Sequence, residues 1–525
     1  MGDYVNPGTD KFQMSLNSEV YVDKSNLIVK TNALFRTERR FICISRPRRF
    51  GKTMAANMLA AYYGTGDDAS SFFEDLAIAK DLTYREHLNK YNVIMINVQE
   101  FLSKTTSVTE MIKRLQADII YELIEAHPEV KYRNTCDFIQ VMKDTYRKTK
   151  QPFVILIDEW DCLFREYKDD LDSQKGYLDF LRLWLKDQAY VGLAYMTGIL
   201  PIKKYGTHSA LNMFDEYSMI DPYHFINYFG FTYLEVEELS VVYEMDIEEI
   251  KSWYNGYFVE IDNPIYNPTS VIRCLKQKKL GNYWNKTETY EALKAYIAFD
   301  FDCLQSKFTE LIAGARLKVN PDKFANDMNT FNSSDDVLTL LVHLGYLSYC
   351  EESRTVRIPN EEVKREFINS IEDLDDWDTV VRAIRSSKSL LQAIWNLQTD
   401  IVADHIATIH EQNISILEYN DENSLSCVLS LALYAANEYY TIIREFPTGK
   451  GYADLVFIPR KKFADKPAMV IELKWDKTAR GAISQIKDKH YTSALNDHHG
   501  NLLLVGINYD KAAKEYTCII EALDS

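Results

Sequence analysis

A strand, a loop and a helix follow one another near the N-terminus, and this order constrains the fold most strongly. The apolar run RFICIS (40–45) predicts a strand, and KTMAANMLAAYYG (52–64) has the apolar spacing of a helix. The loop between them, RPRRFGKT (46–53), ends like the phosphate-binding loop G-x-x-x-x-G-K-[ST]. Arg46 stands where the first glycine of that loop belongs. The segment therefore predicts a phosphate-binding loop of modified form.

The G-K-T end of this loop supplies groups that hold a nucleotide. Backbone N–H groups at the start of a helix surround phosphates. The three residues are Gly51, Lys52 and Thr53. We expect Lys52 to reach the outer phosphates and the hydroxyl of Thr53 to bind a magnesium ion.

The start of the loop departs from the usual pattern but can still form a fixed turn. Pro47 locks its φ near −65°, which can replace the tight turn of the missing glycine. Arg46, Arg48 and Arg49 have two interpretations: they add phosphate contacts, or they face a bound polyanion or a partner subunit. Nucleotide binding is expected in either case, whereas hydrolysis is left open.

A second apolar run, PFVILIDEWD (152–161), stops abruptly at two acids. Acids at the carboxyl end of a buried parallel strand face the crevice where ligands bind. We predict that Asp158 holds Mg²⁺ through water and that Glu159 orients or activates the attacking water. Thr197, in the following run YVGLAYMTG (190–198), is a candidate sensor of the terminal phosphate. The alternative is a set of core strands with solvated acids, but the order and spacing favour a doubly wound nucleotide fold.

Together these residues resemble a bacterial AAA-ATPase-like family whose phosphate loop reads R-P-R-R-F-G-K. The matching stretches are YVDKSNLI (21–28), ISRPRRFGKTMAANMLAAYYG (44–64), VILIDEWD (154–161), TGILPI (197–202), FGFTYLEVEEL (229–239), WYNGY (253–257) and YNPTSVIRCL (266–275). The resemblance implies an ATP-binding P-loop domain in which the missing glycine is normal. It also makes Asp23 and Lys24, in the V-D-K position, candidates for contact with the base or ribose.

The middle of the chain turns helical beyond residue 220. Residues 333–367 read as helix, a turn at Gly345, a strand, a hairpin, a strand and a helix, which is a winged-helix-like order. Its recognition region is acidic and apolar, so we interpret it as a spacer or partner-contact module. The acidic IEDLDDWD (371–378) is the candidate boundary before the last domain.

Charged residues interrupt two strand-like runs near the C-terminus. ADLVFIP (453–459) carries Asp454, and AMVIELKW (468–475) carries Glu472 and Lys474. Residues two apart on a strand project from the same face. Two carboxylates beside an ammonium suit a magnesium site, with Lys474 positioning the attacking water or neutralising a phosphate. The alternative is a hairpin with a surface E-x-K pair.

An aspartate followed about 18 residues later by E-x-K resembles the PD-(D/E)XK nuclease superfamily. The likeness is to the nuclease-like domain at the C-terminus of the same ATPase-like family and covers roughly 385–525. It implies Mg²⁺-dependent cleavage of DNA, an additional metal-binding acid at Glu422, and a polar role for Gln485. The first motif, G-Y-A-D, lacks the proline that names the superfamily, which removes no ligand.

The charge distribution limits the classes of partner. The net charge of −17 argues against a protein coated in nucleic acid. Residues 36–52 nevertheless hold seven basic residues and one acid, and residues 444–490 hold eleven and six, as discrete anion sites would. The eight cysteines are scattered without a C-x-x-C pair, so we expect reduced core residues rather than disulfides or zinc ligands.

These patterns predict an α/β protein in three domains: a P-loop domain (1–220), a helical lid with a winged-helix-like region (221–375) and a restriction-endonuclease-like domain (376–525). The leading hypothesis is an ATP-binding module that controls a Mg²⁺-dependent DNA nuclease. The alternatives are a nucleotide-switched nucleic-acid-binding protein with an inactive nuclease-like domain, and an ATPase-like protein that needs no nucleotide. No apolar run of membrane-spanning length or signal peptide occurs, which indicates a cytoplasmic protein, and homo-oligomerisation is left open.

Overall fold

The structure is a computed structural model that describes residues 2–202, 204–205, 208–209, 211–257, 264–284, 289–299, 302–324, 331–413, 422–447, 452–488 and 501–523. It divides into two compact units, Met1–Trp284 with Lys318–Asn360, and Asn285–Leu317 with Glu361–Ser525. The three domain boundaries inferred from the sequence stay a prediction. No helix in the described ranges is long and apolar enough to cross a membrane.

The described strands and helices are numbered in chain order. The strands are β1 (Phe41–Ser45), β2 (Asn92–Asn97), β3 (Phe153–Asp158), β4 (Val191–Gly198), β5 (Lys204–Tyr205), β6 (His208–Ser209), β7 (Asp215–Tyr217), β8 (Phe231–Thr232), β9 (Ile265–Tyr266), β10 (Leu317–Lys318), β11 (Ser348–Cys350), β12 (Thr355–Arg357), β13 (Tyr440–Pro447), β14 (Tyr452–Pro459), β15 (Ala468–Trp475), β16 (Leu502–Asp510) and β17 (Glu515–Leu523). The helices are α1 (Asp10–Leu16), α2 (Asn26–Leu34), α3 (Lys52–Tyr63), α4 (Ser70–Phe73), α5 (Tyr84–His87), α6 (Val98–Ser103), α7 (Val108–Ala126), α8 (Phe138–Thr149), α9 (Cys162–Glu166), α10 (Leu171–Leu185), α11 (Tyr233–Val242), α12 (Ile247–Tyr254), α13 (Pro268–Gln277), α14 (Thr289–Ile297), α15 (Leu304–Ile312), α16 (Ser334–Leu344), α17 (Glu361–Ile371), α18 (Asp378–Trp395), α19 (Thr399–Asn413), α20 (Glu422–Ala432) and α21 (Ala479–Asp488).

The first unit is built on a parallel sheet with the strand order β2-β3-β4-β1-β7. All six residues of β3 are buried, as expected for a strand covered on both faces. Each fully buried aliphatic side chain contributes about 1.5–3 kcal/mol. The stabilisation from the apolar residues of β3 can therefore offset the cost of burying the carboxylate of Asp158 at the end of the strand. The predicted α/β class and the predicted strands at 40–45 and 152–161 are confirmed.

The winged-helix-like element order predicted for the middle of the chain is also observed. Helix α16 ends at Leu344 and is capped by Gly345, the hairpin strands β11 and β12 pair antiparallel, and α17 follows in the chain. In the first unit, the WYNGY aromatics Trp253 and Tyr254 lie in an apolar cluster with residues of α11 and α13. Trp253 and Tyr254 therefore pack in the core of this unit.

Gly345→Ala is expected to lower the free energy of unfolding of the first unit by about 1–2 kcal/mol. Gly345 has a φ of +87°, which L side chains rarely adopt, and an added Cβ would lie 2.8 Å from the side chain of Pro47. Denaturant unfolding measures the change. Gly176→Ala in α10 is the control, because a Cβ there meets nothing within 4 Å, and we expect stabilisation of up to about 1 kcal/mol. Equal effects of the two substitutions would contradict this account.

The second unit contains a mixed sheet with the strand order β13-β14-β15-β16-β17. Neighbours are antiparallel except β15 and β16, which are parallel. Parallel neighbours need a crossover connection, and the chain between these strands contains α21. Ile483 and Ile486 of α21 pack on Val456, Val470 and Leu504 of the sheet. This face of the sheet is the one that carries Glu472 and Lys474, because side chains alternate along a strand.

The cysteines depart partly from the sequence-based expectation. All eight are free, as predicted. Cys136 and Cys303, however, are exposed rather than part of a core. Both lie outside regular helices and strands, so no buried face requires them to point inward.

Candidate functional site

In the first unit, the carboxyl ends of three neighbouring strands bring the predicted nucleotide residues together. The register pairs Ser45 with Gly198 across β1 and β4, and β3 ends beside β4 at Asp158. Asp158 is buried and accepts hydrogen bonds from the hydroxyl of Thr53, at 2.7 Å, and from that of Thr197. One carboxylate thus joins the start of α3 to the end of β4, as the crevice prediction requires.

Lys52 begins α3 and is held inside the loop. Its Nζ donates to the backbone carbonyls of Arg46 and Pro47, at 2.9 and 3.0 Å. Burial lowers the pKa of Lys52, while Glu159 and Asp158 oppose that change. Gly51, immediately before the helix, has a φ of +89°, a conformation that favours glycine. The first-turn N–H groups of a helix lack intrahelical partners, so this end of α3 is suited to an anion.

Arg46 differs from the expected phosphate contact. Its side chain is fully buried, and Nη1 donates to the carbonyls of Ser45, Tyr217 and Ser218, at 2.8, 2.9 and 2.8 Å. Burial lowers the pKa of Arg46 to about 9. The residue in place of the first glycine therefore ties the loop to the end of β7 through these hydrogen bonds. Its guanidinium is buried and does not face the solvent.

The other two loop arginines have different environments. Arg49 has a φ of +69°, and its Nη1 donates to the carbonyls of Tyr283, at 3.1 Å, and Trp284. This contact links the loop to the segment after α13, within the first unit. Arg48 is half-buried. Phosphate contacts by Arg48 and Arg49 stay predictions.

Glu159 lies beside the strand-end cluster and has a partner that the sequence analysis missed. Its Oε2 accepts from Nη2 of Arg165 at 2.6 Å. Burial raises the pKa of Glu159, and Lys52 and Arg165 oppose the rise. Arg165 also lies 3.4 Å from Asp161. The i, i+4 spacing of Asp161 and Arg165 was the available signal, but it is common on solvated helix faces.

Asp23 and Lys24, the candidates for base or ribose contact, both make contacts within the first unit. The carboxylate of Asp23 accepts from the backbone N–H groups of Ser25, at 2.8 Å, and Ala77, at 2.7 Å. Lys24 Nζ lies 2.6 Å from Glu235 of α11. These contacts fix the segment before α2, and the nucleotide contact stays a prediction.

In the second unit, β14 and β15 bring the predicted nuclease residues together. Asp454 lies one residue beyond the paired Leu455 and Ile471, and its Oδ2 accepts from the N–H of Leu473 at 2.7 Å. Glu472 is buried, and its Oε1 accepts from Lys474 Nζ at 2.9 Å. Burial raises the pKa of Glu472, with Asp454 adding to the rise and Lys474 opposing it.

Gln485 and Glu422 complete the predicted nuclease set. Gln485, on α21, donates to the same Oε1 of Glu472. Glu422 begins α20, but its side chain lies outside the described residues, so its role as a ligand stays a prediction. In the described parts of the chain, no group of three or more His, Cys, Asp or Glu side chains could hold a metal ion.

The residues present nevertheless fit a divalent cation of the magnesium type. Oε2 of Glu472 is buried and has no hydrogen-bond partner among the described residues. Asp454 supplies a second carboxylate on the neighbouring strand, next to the paired residues Leu455 and Ile471. Hard oxygen ligands are what Mg²⁺ requires, and it commonly uses only one or two protein carboxylates. Asp454 and Glu472 are therefore the residues that would hold the ion.

Comparison with known proteins gives one curated relative and several distant structures. The "Uncharacterized protein in vnfD 5'region" of Azotobacter chroococcum mcd 1 is 22% identical over 534 residues, covering 96% of this chain and 95% of the relative. Among solved structures, the Aeropyrum pernix ORC2 protein is 9% identical, with 68% of this chain and 96% of that chain covered and a TM-score of 0.27. The Aeropyrum pernix ORC1 protein in complex with DNA is 10% identical, with 100% and 95% covered and a TM-score of 0.24. TM-scores this low carry no argument about the domains, so the assignment of the domains rests on the family comparisons.

Two family descriptions match separate parts of the chain. Residues 7–207 match the family described as predicted AAA-ATPase, which includes the phosphate loop, Asp158 and Thr197. Residues 420–517 match the PD-(D/E)XK nuclease superfamily, which includes Asp454, Glu472 and Lys474. Both resemblances suggested by the motifs are thus confirmed. The chain carries a predicted AAA-ATPase domain followed by a C-terminal PD-(D/E)XK nuclease superfamily domain.

Proposed function

We propose that this protein is an ATPase whose nucleotide-binding domain controls a Mg²⁺-dependent DNA nuclease. One observation carries the nuclease assignment. The buried carboxylate of Glu472 has one oxygen held by Lys474 and Gln485, while its other oxygen has no hydrogen-bond partner among the described residues. A buried carboxylate oxygen without a partner is costly unless a ligand completes the site.

The residues around Glu472 have distinct roles in phosphodiester hydrolysis. A divalent ion held by Asp454 and Glu472 would supply Lewis acidity toward the phosphate and a more acidic water. Lys474 keeps the Glu472 carboxylate oriented and places a positive charge where a phosphate approaches. Gln485 fixes Oε1 from the helix side, which leaves Oε2 for the ligand. Asp454 is held by the Leu473 N–H, so its position depends on the strand pairing rather than on a loop.

The nucleotide domain supports ATP binding by the same type of reasoning. Lys52 and the first turn of α3 provide the positive end of the site, and Thr53, Asp158 and Thr197 form a connected polar group. Glu159 is the residue that we assign to the attacking water. Control of the nuclease by nucleotide occupancy is the proposed link between the two domains, since both domains occur in one chain.

A second candidate function is a nucleotide-switched nucleic-acid-binding protein without cleavage. It is favoured by one observation: Lys474 and Gln485 both donate to one oxygen of Glu472. A lysine engaged in this way would stabilise the apo site rather than assist a water. The two functions differ in whether a metal ion leads to strand cleavage.

A cleavage assay on the full-length protein is expected to show Mg²⁺-dependent hydrolysis of DNA that EDTA abolishes. Linear duplex, circular and single-stranded DNA should each be tested, with and without ATP. Asp454→Asn keeps the size of the side chain but weakens the oxygen ligand, so we expect cleavage to fall by more than about 100-fold. Metal binding without cleavage by the wild type, and its loss in Asp454→Asn, would favour the second function instead.

A further inference from the structure

Arg165 connects the residue assigned to the attacking water with a fixed point in the core of the first unit. Its Nη2 lies 2.6 Å from Oε2 of Glu159, and its Nε lies 3.4 Å from Oδ2 of Asp161. The Arg165 side chain is only 14% exposed. One planar guanidinium thus spans two carboxylates, a geometry that the point charge of a lysine cannot reproduce.

Asp161 is the anchor of this arrangement. It is fully buried, and its Oδ2 accepts from the backbone N–H groups of Ile199 and Leu200, at 3.1 and 2.9 Å. These two residues directly follow β4, the strand that carries Thr197. Arg165 and Asp161 therefore connect the Glu159 carboxylate to the carboxyl end of β4, the strand that carries Thr197.

The backbone of Glu159 makes such support necessary. Its φ of +52° lies in the left-handed region, which is uncommon and strained for a residue with a Cβ. Strained conformations of this kind persist only when neighbouring groups determine them. The Arg165 contact fixes the far end of the side chain, whose near end is already fixed by the turn after β3.

Stability alone gives little reason for this arrangement. A buried ion pair contributes little net stability, because the desolvation of both charges offsets their attraction. The Arg165 pairs lie in the short segment from the end of β3 to α9, and Asp158 and Lys52 are close enough to act on the charge of Glu159. Their location at the proposed nucleotide site points to a role in that site.

We infer that Arg165 is a positioning residue that holds the Glu159 carboxylate in place for the attacking water in ATP hydrolysis, with Asp161 as its anchor. The inference rests on the proposed ATPase function and adds to it two residues outside the phosphate loop and the strand-end acids. Arg165 acts through Glu159, because its ion-pair partners among the described residues are Glu159 and Asp161, which lie outside the loop that holds the phosphates. Its loss should therefore affect turnover and leave nucleotide binding largely intact.

The test uses the full-length protein and measures two quantities for each variant. An ATP-hydrolysis assay gives kcat, and calorimetry gives the Kd for Mg²⁺-ATP. Arg165→Gln is expected to lower kcat at least about tenfold while the Kd changes less than about twofold. Arg165→Lys should recover part of the kcat, and Asp161→Asn should lower it in the same direction. Arg182→Gln is the matched control, because Arg182 pairs with Asp179 on the exposed side of α10. Thermal melting of each variant reports folding.

The outcomes separate this inference from the proposed function. An unchanged kcat in Arg165→Gln, or a Kd that changes as much as kcat, would overturn the positioning role. A rise in kcat would overturn it too, since the pair would then withhold Glu159 from the water. If Arg165→Gln fails to fold, the other two variants decide. A wild-type kcat in both folded Arg165→Lys and folded Asp161→Asn would overturn the positioning role. A wild type that binds ATP without turnover removes the inference but leaves nucleotide binding, whereas no binding removes the proposed nucleotide function.

Discussion

Glu472→Gln is expected to lower Mg²⁺-dependent DNA cleavage by about a thousandfold or more. Substituting groups that merely orient a metal ligand typically costs about 10- to 100-fold. Glu472 is a proposed ligand itself, and its Oε2 is the buried oxygen without a described partner. The loss should therefore exceed that range, and cleavage rates at saturating Mg²⁺ measure it.

Glutamine is the preferred replacement because it separates catalysis from folding. Lys474 is only 7% exposed and donates to Oε1 of Glu472. Alanine would leave this buried ammonium without its acceptor, and breaking a buried pair costs about 3–5 kcal/mol. Glutamine keeps an oxygen acceptor of nearly the same size, so the domain should remain folded while the charge on the ligand is lost.

Two further variants make the result specific. Lys474→Met should also reduce cleavage but leave metal binding measurable by calorimetry, because the two carboxylates remain. Glu515→Gln removes an exposed acid from β17 in the same sheet and should leave cleavage unchanged. Wild-type cleavage in a folded Glu472→Gln protein would contradict the nuclease assignment.

The strand-end acids and the E-x-K pair could be placed from sequence because each depends on short-range geometry. Asp158 terminates an apolar run, and the alternation of side chains along a strand puts Glu472 and Lys474 on one face. The structure pairs β14 with β15, which places Asp454 on the strand next to that of Glu472. Element order in the middle of the chain was likewise predictable from spacing and a glycine turn.

The role of Arg46 could not be predicted in the same way. Its acceptors are the carbonyls of Tyr217 and Ser218, about 170 residues away in the chain. Strand β7, which ends at Tyr217, reads DEY and lacks the apolar pattern of a core strand, so its place beside β1 is set by tertiary pairing. Arg165 was missed for a related reason, because its contact with Glu159 depends on a left-handed residue that no periodicity reveals.

Lys52→Ala is expected to abolish the stabilisation of the protein by Mg²⁺-ATP. A ligand at 100 times its Kd raises the free energy of unfolding by about 2.7 kcal/mol, and the Kd itself defines that concentration for the wild type. Lys52 begins α3 beside Asp158, at the end of the helix that favours anions. At the same ATP concentration, the variant should show a thermal shift close to zero.

The contacts of Lys52 in the described structure also set how the variant must be controlled. Its Nζ donates to two loop carbonyls, so its removal changes the loop even without nucleotide. The melting temperature of each protein without ATP must therefore be subtracted from its value with ATP. Lys113→Ala removes an exposed lysine from α7 and should retain the full ATP-dependent shift.

The same variant tests whether the nucleotide domain controls the nuclease domain. If ATP changes the rate of DNA cleavage by the wild type, Lys52→Ala should remove that change while cleavage without ATP stays within about twofold, because Asp454 and Glu472 are untouched. Linkage requires the effect to be reciprocal, so DNA bound at the nuclease domain should alter the Kd for ATP by the same factor as ATP alters the Kd for DNA. An ATP effect on cleavage that persists in Lys52→Ala would show that the nucleotide acts at another site. An equal ATP-dependent thermal shift in the wild type and in Lys52→Ala would exclude this loop as the place where ATP binds.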